Sequence, residues 1–303
     1  MEKTMIAARL HALHQPMSLD RIPVPKPRAT DVLVEVRACG IVPNMANVIN
    51  NWPTWFPHQP IPKFPAIFGL DPAGVVAEVG EAVINVKPGD RVYVSPLRSC
   101  GSCKACRSGN RSQCRYYTLN GYFSTSPDGQ RIFYLYPYGG FSQYMTAPEY
   151  ALVSLPNNLS FLQAGRFGYL GTSYGALKNA KAGPGQVALI DGITGTLGVA
   201  ATVLGLAMGL SRILGTGRND ELLQRVKALA PDRIEIMSLA DRSSGEWARS
   251  LTGGESVDFV ISALGAKAPA ATMVDSMRRA AGGGAASSMW AVSPKTCRSM
   301  SSG

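Results

Sequence analysis

Residues 187–198 read VALIDGITGTLG: a short β-branched apolar run, a glycine-rich turn, and the start of a stretch rich in small residues. An apolar run of that length suits a strand buried on both faces. A helix starting directly after the turn would point its free N–H groups and the positive end of its dipole at whatever sits on the turn. The turn departs from G-x-G-x-x-G, because Ile193 holds the first glycine position; it reads G-x-x-G-x-x-G through Gly192, Gly195 and Gly198. The physical roles carry over. Gly195 lets a pyrophosphate approach the backbone, and Gly198 lets the helix pack closely on the strand. An ordinary strand-to-helix turn is the alternative. Against it stands the repetition that follows: strand and helix patterns alternate at 212–215, 219–229, 233–237, 246–251, 257–261 and 270–280. Such alternation predicts an open parallel sheet with helices on both faces.

The first half is patterned differently. Residues 31–37 alternate with Val32, Val34 and Val36 on one face, and 74–79, 91–94 and 139–145 read as further short strands between Gly and Pro turns. Few helix signals interrupt them, which predicts a barrel or sandwich. The pattern changes near Ala151, so the expected organisation is a β-domain over 1–155 and a parallel α/β domain over 156–284.

The second strand of the α/β domain bears on the cofactor. An NAD site ends that strand with a carboxylate for the ribose 2′-OH. Here the strand runs into Gly217-Arg218, with no carboxylate at its end. A 2′-phosphate would find room at Gly217 and a guanidinium partner in Arg218, so NADP(H) is expected over NAD(H). The plainer alternative is that Arg218 faces solvent. The expected cofactor-binding residues are Gly192, Thr194, Gly195, Thr196, Leu197 and Gly198 of the turn, Gly217 and Arg218, and Leu264 after the fourth strand.

Composition narrows the class of partner. The formal charge is +10. Lys and Arg are scattered rather than interleaved with aromatics in a stripe, so no nucleic-acid partner is expected. No apolar run approaches the roughly 20 residues needed to span a bilayer, and residues 1–5 lack a signal-peptide core. A cytoplasmic protein acting on a small molecule is expected.

Four of the six cysteines, Cys100, Cys103, Cys106 and Cys114, fall within fifteen residues. In a chain without a secretion signal that spacing argues for a closed, tetrahedral structural zinc rather than disulfides. Cys39 and Cys297 stand apart. The quartet, VKPGDRV at 86–92, GGFSQY at 139–144 and TSYGAL at 172–177 together resemble the zinc-type alcohol dehydrogenases of the medium-chain dehydrogenase/reductase superfamily, over residues 5 to 283. The resemblance implies a GroES-like, partly open β-barrel followed by a Rossmann domain. Its full-length members would be homo-oligomers.

The resemblance also locates the family's catalytic zinc, whose three ligand positions here are Val42, Leu70 and Gly168. None can bind zinc, and Asn44 replaces the proton-relaying hydroxyl. Without a Lewis acid a plain carbonyl loses its main charge stabilisation. The expectation is hydride transfer between NADP(H) and a carbonyl or activated C=C or C=N group. Asn44, Asp71 and Thr172 are the candidate catalytic residues, the resemblance putting Thr172 close to the nicotinamide. Asp71 is either a proton donor with a raised pKa or a structural carboxylate. Trp52, Trp55 and Phe56 either wall an apolar pocket or pack in the core. A non-catalytic nucleotide-binding protein, or an inactive truncated gene product, is the alternative.

After Gly284 the α/β pattern stops. In the neighbouring reading frame the tail can encode a strand and loop, GRVVNVGG, of the kind due at this point. Residues 285–303 are therefore expected to be an aberrant tail, and the Rossmann sheet to be cut short, leaving its fourth strand as an open edge. A divergent C-terminus is the alternative.

Overall fold

A computed structural model describes residues 3–42, 45–239, 243–265, 268–276 and 286–289. The chain divides into two compact units, Met1–Gly168 and Tyr169–Gly303. Among the described residues no helix is long and apolar enough to cross a membrane.

The first unit opens with a hairpin of β1 (Thr4–Arg9) and β2 (Ser18–Pro23). Then come β3 (Asp31–Gly40), helix α1 (Met45–Trp55), β4 (Asp71–Val79) and β5 (Arg91–Val94). A lobe follows, built from β6 (Leu97–Arg98), α2 (Lys104–Arg107), β7 (Thr118–Leu119), β8 (Phe123–Ser124) and α3 (Gln130–Phe133). β9 (Tyr144–Pro148), β10 (Leu152–Ser154) and α4 (Phe161–Ala164) complete the unit. Its main sheet is antiparallel in the order β10-β5-β4-β3-β9. Alternation explains the packing. Val32 and Val34 of β3 turn inward onto Val76, Val92, Val94 and Met145. Two irregularities interrupt the β3–β4 register, between Leu33 and Val34 and between Val36 and Ala38.

Residues 156–164 belong to the first unit. Leu155, Leu159, Phe161, Ala164 and Phe167 pack against Ala73 and Tyr93, and this apolar contact holds the connection down.

Helix α5 (Phe167–Asn179) carries the chain into the second unit. There β11 (Val187–Asp191), α6 (Thr196–Ala207), β12 (Arg212–Gly217), α7 (Asp220–Lys227), β13 (Ile234–Ser238), α8 (Ser244–Leu251), β14 (Phe259–Ser262) and α9 (Ala270–Asp275) alternate as expected. β11 is buried on both faces. Ala188 and Ile190 meet Ile213 and Ile261 on one side, and Leu189 meets Leu214, Val260 and Trp247 on the other.

The fourth strand is not an open edge. β15 (Ala286–Met289) pairs with β14 in parallel, giving the order β13-β12-β11-β14-β15. The expectation of an edge at β14 is corrected on this point, because a parallel ladder is made of main-chain groups and does not require an apolar sequence. The rest of the segment expected to be an aberrant tail, including Cys297, lies outside the described residues.

Candidate functional site

Three places in the two units carry the chemistry expected of the sequence. The first is the cysteine lobe. Its two-residue strands supply little hydrogen bonding, yet it draws four sulfurs together. Cys103 and Cys106 Sγ are 3.6 Å apart, Cys114 and Cys100 3.7 Å, Cys103 and Cys114 3.9 Å, and Cys100 and Cys106 4.0 Å. A tetrahedron with Zn–S bonds of about 2.3 Å has sulfur–sulfur edges of about 3.8 Å, so the quartet fits a structural zinc. Backbone amides back the cage: Cys103 N–H donates to Cys100 Sγ at 3.4 Å, and Tyr116 N–H to Cys114 Sγ at 3.4 Å. Burial pushes the Cys114 thiol up to about 12, a cost that a dication removes by holding the thiolate. Among the described residues this is the one group of three or more His, Cys, Asp or Glu side chains able to share a metal ion.

The second place is where the family's catalytic zinc would sit. Val42 and Leu70 are half-buried and pack with Leu10, Met45, Ile49, Ala66, Phe68 and Tyr122. Gly168, at the head of α5, has no side chain, and a Cβ built there would lie 2.3 Å from Asp71 Oδ1. The donor set therefore does not fit a catalytic zinc: two positions are apolar, and a carboxylate fills the space of the third.

Asp71 is 3% exposed. Its Oδ1 accepts a 2.8 Å hydrogen bond from the Tyr93 hydroxyl, and the Gly168 N–H also donates to the carboxylate. Burial pushes this carboxyl above the usual carboxylate range, against the pull of Tyr93, Gly168 and the Arg166 guanidinium. Burial likewise pushes the neighbouring Cys39 thiol up to about 12. Trp52 is buried and packs in a tilted arrangement against Phe56 and Phe123, with ring centroids 4.4 and 3.9 Å apart; Trp55 is half-buried and Phe56 is 37% exposed. Asn44 lies outside the described residues.

The third place is a cleft of about 530 Å³ at the C-terminal ends of β11, β12, β13 and β14. Six of the expected residues line it: Gly192, Thr194, Gly195, Gly217, Arg218 and Leu264. Thr196, Leu197 and Gly198 do not line it; they form the first turn of α6, whose N-cap, Gly195, contributes no side-chain cap. Gly192 has φ +75°, which favours glycine. A Cβ on Gly198 would fall 2.3 Å from the Gly192 carbonyl oxygen, so the helix sits directly on the turn. Ile193 turns away from the cleft into the core, fully buried. Arg218 is exposed and has no carboxylate partner among the described residues. Sequence reasoning missed the far wall, Ser238, Leu239, Ala263, Pro269 and Thr272. The available signal was topological: ligands gather beyond the carboxyl ends of parallel strands. Thr172 is half-buried on α5, next to Ser173, whose hydroxyl donates to the Leu197 carbonyl at 2.9 Å.

Comparison with known proteins sets the chain beside alcohol dehydrogenases. Residues 28–157 match the alcohol dehydrogenase GroES-like domain. An alcohol dehydrogenase of Geobacillus stearothermophilus is 33% identical over 253 residues, covering 82% of this chain and 68% of that protein. An L-threonine 3-dehydrogenase of Bacillus velezensis is 30% identical over 269 residues, covering 88% and 71%. A crystal structure of an NAD-dependent alcohol dehydrogenase superposes with a TM-score of 0.77 at 27% identity, covering 93% of this chain and 78% of that one.

Proposed function

The chain belongs to the medium-chain dehydrogenase/reductase superfamily, in its zinc-type alcohol dehydrogenase-like branch, and from that premise we propose that it transfers hydride between NADP(H) and a small molecule without a catalytic zinc. The observation that carries the proposal is the pairing of a built dinucleotide cleft with zinc-ligand positions taken by Val42, Leu70 and Gly168.

The nicotinamide supplies the hydride. The chain supplies the rest. Gly192, Thr194 and Gly195, at the N-terminal end of α6, would hold the pyrophosphate. Gly217 leaves room at the end of β12, and Arg218 pairs with the 2′-phosphate. The superposed relative is named for NAD; the absence of a carboxylate at Gly217 is what sets this chain's preference apart. Thr172 and Asn44 are the proposed hydrogen-bond donors to the reacting group. Without a Lewis acid their hydrogen bonds must stabilise the developing charge, which favours an enal, enone, quinone or iminium over a plain alcohol. Asp71 accepts bonds from Tyr93 and Gly168, which supports the structural role over the proton donor.

The test is NADPH oxidation with a panel of enals, enones, quinones and ketones, before and after chelation, on protein of known zinc content. Turnover on activated substrates with one zinc per chain is the expected result. A requirement for a second zinc, or activity confined to simple ketones, overturns it. No turnover with any substrate, alongside tight NADPH binding, supports a nucleotide-binding protein without chemistry.

A further inference from the structure

Helix α5 buries one face in the core of the second unit. Ala176, Leu177 and Ala180 pack with Ala188 and Ile190 of β11, Ile193 of the phosphate turn and Ala201 of α6. Three residues before Ala176 stands Ser173, which is 3% exposed. Positions 173, 176, 177 and 180 follow the i, i+3, i+4, i+7 spacing of a single helix face. An alanine at 173 would continue the pattern of small residues set by Ala176 and Ala180. A hydroxyl in that place is unfavourable unless it is hydrogen-bonded, so what it bonds to carries information.

A serine or threonine inside a helix ordinarily returns its proton to a carbonyl three or four residues back in the same helix. Thr202 of α6 does so: its hydroxyl donates to the Gly198 carbonyl at 2.9 Å. Ser173 instead reaches across to the neighbouring helix, where its Oγ donates to the Leu197 carbonyl at 2.9 Å. Leu197 lies in the first turn of α6, two residues after Gly195, the N-cap that lines the cleft. A carbonyl oxygen has two lone pairs, so Leu197 can accept this bond and keep its place in the α6 ladder.

Apolar contact between small side chains is non-directional and fixes the sliding position of two helices only loosely. A hydrogen bond is directional and short. Carbonyls one turn apart along a helix are separated by about 5.4 Å, so a slip of a fraction of a turn breaks it. We propose that Ser173 is a positioning residue for the coenzyme: its bond to Leu197 fixes the register of α5 against the first turn of α6. Thr172, the proposed donor to the reacting group, directly precedes Ser173. The same bond therefore sets how far that donor stands from Gly195 and the pyrophosphate the turn would hold. Ser173 spaces the two ends of the coenzyme without touching either.

The proposal rests on the dinucleotide reading of the cleft, and two ligands keep the failure of one apart from the failure of the other. The full chain is titrated with NADPH and with adenosine 2′,5′-bisphosphate, which carries the adenine end but neither the pyrophosphate nor the nicotinamide. Ser173→Ala should weaken NADPH by about three- to tenfold, within the scale of one hydrogen bond, and leave the bisphosphate within about twofold of wild type. The fluorescence lifetime of bound NADPH, which reports the surroundings of the dihydronicotinamide ring, should shift in the same variant. Alanine is the better helix former, so this variant should fold. Thr202→Val removes a comparably buried hydroxyl from the next carbonyl of α6 without touching α5. It should lower the melting temperature and move neither coenzyme readout. A Ser173→Ala variant with wild-type NADPH affinity and lifetime, one that weakens both ligands equally, or a Thr202→Val variant with the same signature overturns the positioning role. A wild-type chain that binds neither ligand overturns the dinucleotide reading and the proposal with it.

Discussion

A Cβ on Gly168 would lie 2.3 Å from Asp71 Oδ1, so the space of the third zinc-ligand side chain is already filled. Gly168→Ala should therefore cost about 1–3 kcal/mol through overpacking. In an Asp71→Ala background the same substitution should add much less, because the obstacle has gone. Urea unfolding of the two single variants and the double variant checks this; simple additivity counts against the steric account.

Asp71 also makes stability depend on pH. Its folded pKa is raised, chiefly by burial, so the folded chain holds the proton more tightly than the unfolded one. The contribution to stability is fully present below the ordinary carboxylate pKa and is lost as pH rises through the folded value. Asp71→Asn removes that slope. Its stability relative to wild type should improve from acidic to neutral pH, and parallel profiles would show the shift to be absent.

Ile193 and Gly215 are a matched pair. A Cβ on Gly215 would meet Ile193 Cδ1 at 2.2 Å, and Ile193 is fully buried. The missing first glycine of the phosphate turn is thus accommodated by a glycine on the next strand. Ile193→Ala should cost about 2–5 kcal/mol by opening a cavity. Gly215→Ala should destabilise wild type yet recover part of the loss in the Ile193→Ala background. Thermal melts of the four proteins decide it.

Arg218→Ala should weaken NADPH binding by about ten- to a hundredfold, corresponding to roughly 1.5–3 kcal/mol of charge-assisted hydrogen bonding. NADH binding should barely change. Gly217→Asp should go further and favour NADH, by repelling the 2′-phosphate and accepting from the ribose 2′-OH. Fluorescence titration of both coenzymes is sufficient, and equal wild-type affinities for the two would refute the assignment.

What could be read in the sequence was what is local. The quartet from Cys100 to Cys114 fits a metal cage because its close spacing keeps the sulfurs near one another. The strand from Val187 and the turn at Gly192–Gly198 carry their own periodicity. Helices α1 and α5 carried no such mark: Pro53 interrupts the first, and Gly168, Gly171 and Gly175 dilute the second. They hold by what they bury, Met45, Ile49 and Trp52 in α1 and Ser173, Ala176 and Leu177 in α5, which is tertiary information. Asp191 looked like one letter of a turn motif. Its partner Thr216 stands on the next strand, and only the parallel pairing of β11 with β12 brings that hydroxyl to it.

Zinc analysis should return one ion per chain. Cys103→Ser should lower the ion's retention and the stability of residues 97–124 while leaving coenzyme affinity nearly intact. Loss of NADPH binding in proportion to zinc loss would argue that the lobe is not an independent staple.

The amides that face the sulfurs give the lobe a clock. Cys103 and Tyr116 direct their N–H groups at Sγ atoms of the cage, and the surrounding strands are two residues long. Their exchange with deuterium can then proceed only when the cage opens, and with so little ladder around them, cage opening means metal release. Hydrogen exchange at those two sites would report the residence time of the ion, residue by residue.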